Sequence, residues 1–556
     1  MPPAPQRWKG QCENGTAFSP SNCNWKLIGA RSFSKGLIAA GRNISTEIDY
    51  DSPRDFFGHG THTSSTAAGN HVPGVSHFGY ARGTASGVAP RAHIAMYKVL
   101  FTTDTLQSAA SDVLAGMDQA IADGVDIMSL SLGFQQTPYF NDVIAIASLS
   151  AMEKGIVVVC ATGNDGDFNA THNGALDHNN NDSKAYCHYD ALVPGEVHGK
   201  VVLCDTNKET NVSKQKDELE RVGAYAGILI TDTSLLHSRD YTIPCLAIPT
   251  ASGALVRDYV TGVTTPKVRS MEFITTKLGT TTAPQVAYFS SRGPDPISPN
   301  VLKPDILAPG VDVLAAIASN KPYMKMDGYD VVTDYALFSG TSMAAPHVAG
   351  VAALLKSVHP EWSPAAIRSA IMTTAYVTDQ SGTILKDQQT GLPATPLDFG
   401  AGHLNPNKAM DPGLIYDLCF QDYIDFLCRL GYTEKQLSAI IRQSQWNCSQ
   451  EQSDLNYPSF INIFNKESSP MMKKFSRVVT NVGNDRAVYN ATLVIPPGMR
   501  VTVEPSSLSF TQKYQNQGYS VNLEIDTDAP TVVYGYLKWS DQHNHVVSSP
   551  LVAVKL

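Results

Sequence analysis

The chain has 556 residues, of which 43% are hydrophobic and 17% charged, and its 42 basic and 51 acidic side chains leave a net charge of −9. That length suits about three or four domains. The mild acidity, with no basic tract, argues against a nucleic-acid or membrane-surface partner, and no run of about 18 apolar residues offers a transmembrane helix.

The N-terminus, Met1-Pro2-Pro3-Ala4-Pro5-Gln6-Arg7-Trp8, has no apolar signal-peptide core, which taken alone points to the cytosol. Nine cysteines and seven Asn-x-Ser/Thr triplets, at Asn14, Asn43, Asn169, Asn181, Asn211, Asn447 and Asn490, point instead to a secreted glycoprotein. No cysteine pair has the CxxC spacing of a zinc site. The odd count leaves at least one free thiol, with Cys160, Cys245 and Cys419 as candidates, and Cys160 reads as buried at the end of Ile156-Val157-Val158-Val159.

In chain order, Ala92–Val99 reads as a strand, and Gln107–Asp123 as a helix with apolar residues at 110, 113, 114, 117 and 121 and a stop at Gly124. Val125–Leu130 is the next strand, Asp142–Lys154 a second helix, and Ile156–Ala161 a third strand. Such a series implies a parallel sheet, with function gathered beyond the carboxyl ends of its strands. From about 171 to 280 the texture becomes that of a small inserted domain, with strands near 200–203, 227–231 and 246–248 and a charged helix Lys214–Val222. The α/β pattern resumes at Val286–Phe289, and Ser363 and Pro364 fit the N-cap and first position of a late helix. Beyond about 450 the strands Arg477–Val482, Ala487–Ile495, Arg500–Glu504, Tyr519–Ile525, Val532–Trp539 and Val546–Val554 suggest a small β-sandwich.

Three motifs carry chemistry. In Gly340-Thr341-Ser342-Met343-Ala344-Ala345-Pro346, Ser342 falls at a helix N-terminus, where free N–H groups can stabilise an oxyanion. In Gly58-His59-Gly60-Thr61-His62, His59 suits a general base; a metal pair with His62 would lack a third ligand. Asn164, just past the third strand, can donate its side-chain amide to an oxyanion. No acidic cluster has calcium-loop spacing, so neither metal nor cofactor is expected.

Together with Phe289-Ser290-Ser291-Arg292-Gly293-Pro294 and Lys303-Pro304-Asp305-Ile306-Leu307-Ala308-Pro309-Gly310, these motifs resemble the subtilisin family. Trp8-Lys9-Gly10, Lys26-Leu27-Ile28-Gly29-Ala30-Arg31, Ser52-Pro53-Arg54-Asp55, Asp411-Pro412-Gly413-Leu414-Ile415-Tyr416-Asp417 and Thr480-Asn481-Val482-Gly483 resemble its plant-type members.

The resemblance implies an α/β fold, a subtilisin-like three-layer parallel sheet with an inserted protease-associated domain and a C-terminal fibronectin III-like β-sandwich. The expected divisions are a catalytic domain over 1–170 and 281–445, the insert over 171–280 and the sandwich over 446–556. It also implies disulfides Cys12–Cys23, Cys187–Cys204 and Cys428–Cys448, an extracellular location, and peptide or protein substrates. By the same resemblance Ser342 attacks a peptide carbonyl, His59 moves the proton, Asn164 holds the oxyanion, and Ser131, Leu132 and Gly133 line the substrate pocket.

Two departures stand out. The family's third catalytic residue is an aspartate in an Asp-Thr/Ser-Gly turn after an apolar strand; no such triplet occurs here, and Asp49, Asp51 and Asp55 do not follow a strand in that turn. The chain is therefore expected to be N-terminally incomplete. A core strand expected between Asn164 and Cys187 also has no counterpart. Two functions follow: a serine endopeptidase lacking its aspartate, or a non-catalytic secreted glycoprotein that binds peptides through the remnant cleft.

Overall fold

A computed structural model describes residues 1–166, 183–205, 212–231, 243–271, 282–326, 329–443, 445–449, 454–465 and 471–555. The sequons at Asn169, Asn181 and Asn211 lie outside the described residues.

The first half alternates strands and helices much as the hydrophobic periods predict. In order come β1 (Leu27–Ser32), α1 (His59–Ala68), β2 (Ile94–Lys98), α2 (Leu106–Asp123), β3 (Ile127–Leu130), α3 (Val143–Glu153) and β4 (Val157–Cys160). Helix α2 starts where the Thr105 side chain accepts from Ser108 N and ends at Gly124, whose φ of 87° favours glycine. Its apolar face joins α3 in a core of Val113, Met117, Ala120, Met128, Ala147 and Ala151. β1 pairs in parallel with β2, and β3 with β4. Among the described residues no ladder joins these two pairs, and none lies on the other side of β4. The continuous sheet implied by the sequence is thus present as two ladders.

Beside β4 lies a cavity of about 2290 Å³ lined in part by Val157, Val158, Val159 and Cys160. Cys160 is open to this space. Desolvation by the protein around it nonetheless pushes its thiol up to about 11. This corrects the sequence reading of a packed core cysteine: the run Ile156–Val159 is apolar, but among the described residues no partner layer closes over its end.

The next stretch forms β5 (Val201–Cys204), α4 (Val212–Arg221), β6 (Ala226–Ile230), β7 (Cys245–Ile248) and α5 (Thr250–Gly262). β5, β6 and β7 make a three-stranded parallel sheet. On α4, the buried Glu218 accepts from Asp190 N and Leu192 N, both at 2.7 Å, and pairs with Arg221. Those partners outweigh desolvation and hold its carboxyl below the usual range.

The chain returns through the antiparallel pair β8 (Val313–Ala316) and β9 (Tyr335–Phe338) into α6 (Thr341–Val358) and α7 (Pro364–Thr373). Val286 makes only an isolated bridge to Asp387, where the sequence suggested a strand. Ser363 caps α7 by accepting from Ala366 N at 3.0 Å, with Pro364 behind it as predicted. α6 is the central helix, burying Met343, Ala345, Pro346, Ala349, Val351, Ala352 and Leu355. Helices α8 (Phe420–Arg429) and α9 (Glu434–Ile441) cover α3 through Leu149, Ile424, Leu427, Leu437 and Ile440.

The C-terminal part is a two-sheet sandwich. Leu414–Ile415, Met472–Asn481, Asn516–Ile525 and Met499–Glu504 form one sheet. Phe460–Phe464, Val546–Lys555, Val532–Ser540, Ala487–Val494 and Ser507–Phe510 form the other. Trp539, Tyr489, Phe460 and Tyr416 are fully buried between them.

The three disulfides Cys12–Cys23, Cys187–Cys204 and Cys428–Cys448 are all formed. Each closes a short loop, a constraint worth about 3 kcal/mol in a chain-entropy picture. Cys160, Cys245 and Cys419 are free. Asn14, Asn43, Asn447 and Asn490 are all exposed, as acceptors of a glycan must be.

A histidine ties the sandwich to the segment that leads into it. His545 reaches Asp541 at 2.7 Å and Asp411 at 3.0 Å. Burial alone would lower its pKa, but the two carboxylates outweigh that and leave it above the ordinary 6.5. A raised pKa stabilises the fold fully below the unfolded value and ceases to do so as pH rises through the folded one. His545→Gln is therefore expected to melt a few degrees below the parent at about pH 5.5 and level with it at about pH 9. Melting curves across that range check this.

Candidate active site

The site begins with two parallel helices. The His62 ring in the first turns of α1 stacks on Phe338 at 4.4 Å, just ahead of α6. In the last turn of α1, Ala67 O lies against Gly350, where an added Cβ would be only 2.8 Å away. Start meets start and end meets middle, so α1 and α6 run the same way. His59 and Ser342 sit at their matched N-terminal ends, each eight residues before the Ala67–Gly350 approach.

His59 is exposed and His62 fully buried. His62 Nε2 lies between Val313 O at 3.0 Å and Ala336 O at 3.1 Å, so it fastens α1 to the β8–β9 pair. Among the described residues no group of three or more His, Cys, Asp or Glu could hold a metal.

Ser342 owes its surroundings to a proline. A helix would pair Ser342 O with the N–H of residue 346, and Pro346 has none. Ser131 Oγ supplies the missing donor at 2.7 Å, while Ser342 Oγ donates to Ser131 O at 3.4 Å. This exchange brings Ser131, just past β3, beside the serine; Leu132 and Gly133 follow it, and all three line the cavity together with Ser342.

Asn164 follows β4 and faces the same helix end. Its Oδ1 accepts from Thr341 N at 2.9 Å and Thr341 Oγ1 at 3.0 Å. Because a backbone N–H can only donate, this contact fixes the oxygen end of the amide and turns Nδ2 away from Thr341. Gly340 (φ 154°, ψ 160°) has a conformation essentially reserved for glycine. A Cβ placed there would lie 3.6 Å from Asn164 Nδ2 and 3.7 Å from Ser342 N. The Asn164 amide and the Ser342 nitrogen thus both border the space above Gly340. The Ser342 N–H, in the first helical turn, has no acceptor within its own helix.

Other nearby aspartates have defined tasks. Asp49 pairs with Lys98 at 2.5 Å, and Asp51 accepts from Ser34 Oγ at 2.9 Å. Asp55 gathers the turn that carries His59. The sequence reading missed that role for Asp55, although an aspartate a few residues ahead of a helix is a capping signal. It also missed the Ser131–Ser342 exchange, which Pro346, four residues after Ser342, could have indicated.

The model of the subtilase family matches residues 21–402, and that of the fibronectin type-III domain residues 454–553. Subtilisin-like protease SBT3 of Solanum lycopersicum is 41% identical, covering 99% of this chain and 78% of the relative. Subtilisin-like proteases SBT1.7 and SBT1.6 of Arabidopsis thaliana are 40% and 38% identical, covering 99% and 100% of the chain and 79% and 80% of the relatives. The first alignment runs over 604 residues although this chain has 556, so that relative carries segments between matched positions that are lacking here. The chain belongs to the subtilase family of serine endopeptidases, with a fibronectin type-III domain at its C-terminal end.

Proposed function

We propose that this chain is a secreted serine endopeptidase that works through Ser342 and His59, its activity lowered by the missing Asp-Thr/Ser-Gly turn. The observation that carries the reading is the placement of Asn164 at the Ser342 end of α6, its amide oxygen held by Thr341 N and Thr341 Oγ1. Ser342 Oγ bonds to the peptide carbonyl carbon while His59 takes the hydroxyl proton. The carbonyl oxygen becomes the oxyanion and receives hydrogen bonds from Asn164 Nδ2 and the Ser342 N–H. His59 then passes its proton to the departing amine, leaving an acyl ester that water hydrolyses by the same route in reverse.

The peptide would lie along Ser131, Leu132 and Gly133 as an added strand. Loss of the triad aspartate lowers turnover about 10⁴-fold in well-characterised serine proteases. The disulfides and exposed sequons support secretion. We assign the segment around β5–β7 as a protease-associated domain.

A non-catalytic peptide-binding glycoprotein is the competing reading, favoured by the missing Asp-Thr/Ser-Gly turn. A fluorophosphonate probe separates the two. Labelling of the folded chain, lost in Ser342→Ala, is the expected result; a folded chain that stays unlabelled at high probe concentration establishes the binder.

A further inference from the structure

We propose that Asp55 is a positioning residue for the catalytic base, holding the turn from which His59 projects. The inference rests on the reading of His59 as that base. The sequence runs Asp55-Phe56-Phe57-Gly58-His59-Gly60-Thr61, so a helix starts on a stretch with a glycine on either side of the histidine. Glycines leave such a turn free to move unless something holds it.

Asp55 does so from both sides. Its Oδ1 accepts from Phe57 N at 3.1 Å and Gly58 N at 2.8 Å, ahead of His59. Its Oδ2 accepts from Thr61 N and Thr61 Oγ1, both at 2.7 Å, behind it. One carboxylate therefore takes four hydrogen bonds that bracket the histidine, using first-turn donors that the helix itself cannot satisfy. Gly58 is left-handed (φ 88°), and a Cβ there would press on Ala318 N at 3.2 Å. The turn is also pinned from the far side. Phe56 is buried, its carbonyl accepts from Asn320 Nδ2 at 3.2 Å, and Lys321 Nζ stands 4.4 Å and 4.1 Å from the Phe56 and Phe57 ring centres. Asp55 is thus placed to restrain His59 through the backbone on either side of it.

The test compares Asp55→Ala and Asp55→Asn with the parent chain, using a fluorophosphonate and ¹³C-labelled histidine. Asp55→Ala is expected to lower the maximal labelling rate at Ser342 about tenfold or more while the half-saturating probe concentration holds, since small misplacements of a catalytic group act on the rate. Asp55→Asn should recover part of the rate, because asparagine caps nearly as well. Relaxation at His59 Cε1 should show a more mobile ring in Asp55→Ala. An unchanged rate, or a joint fall of rate, half-saturation and melting temperature without rescue by asparagine, overturns the proposal. If the parent chain itself does not label, the endopeptidase reading fails and the ring relaxation decides alone. A mobile His59 in a normally melting Asp55→Ala supports the positioning role, and an unchanged ring overturns it.

Discussion

Ser342→Ala and His59→Ala are each expected to lower turnover of an activated peptide ester only about 10²-fold. In a complete triad either change lowers turnover about 2 × 10⁶-fold, whereas loss of the aspartate alone lowers it about 3 × 10⁴-fold. The three residues act as a unit, so their effects do not multiply. On the proposed reading, with no Asp-Thr/Ser-Gly turn, the chain starts from the lower level. What Ser342 and His59 still contribute is the ratio of the two figures. Steady-state kcat for the parent and both variants measures it. A fall beyond about 10⁴ in either variant would mean that another carboxylate orients His59.

Asn164 is expected to matter as much or more. Removing one oxyanion donor lowers kcat about 10²- to 10³-fold. That contribution survives loss of the triad aspartate, because it needs only placed donors. Asn164→Ala does two things at once: it removes Nδ2, and it strips the acceptor from Thr341 N and Thr341 Oγ1. Thr341 is buried, and an orphaned buried donor costs about 1–3 kcal/mol. Asn164→Asp keeps an acceptor for Thr341 and removes only the donor. Both variants should lose the rate, but only alanine should also lower the melting temperature. An aspartate variant with the parent's kcat would remove Asn164 from the mechanism.

The parts of the fold legible in the sequence were those with a local period. Helix α2 shows its buried face at Val113, Met117 and Ala120 and its stop at Gly124. Most of the sandwich strands show alternation. Phe460–Phe464 was not legible, because it pairs in parallel with Val546–Lys555, some ninety residues away, and has no turn to announce it. Ser507–Phe510 is a four-residue edge strand, too short for a pattern. Helix α5 buries only Gly253 and leaves Leu255 and Tyr259 exposed, so its sequence lacks an inward stripe.

The residues proposed for the site stand out in the sequence, and their supports do not. Ser342, His59 and Asn164 lie in compact glycine-marked motifs, and the structure sets Ser342 and Asn164 on one helix end. The Asp55 turn and the Ser131–Ser342 exchange depend on where loops fold back. The Ser131–Ser342 contact spans 211 residues. The cavity beside β4 is a further case. Apolar runs predict burial, and nothing in Val157–Cys160 tells whether a neighbour arrives to provide it.

The central claim is that Ser342 forms a covalent acyl intermediate. Mixing the chain with an activated peptide ester, quenching in acid within a turnover and weighing the intact protein tests it directly. The expected spectrum shows one added acyl group, which fragmentation places on Ser342 and which His59→Ala diminishes. Ester turnover with no acyl mass on Ser342, or an acyl group on another residue, would contradict it.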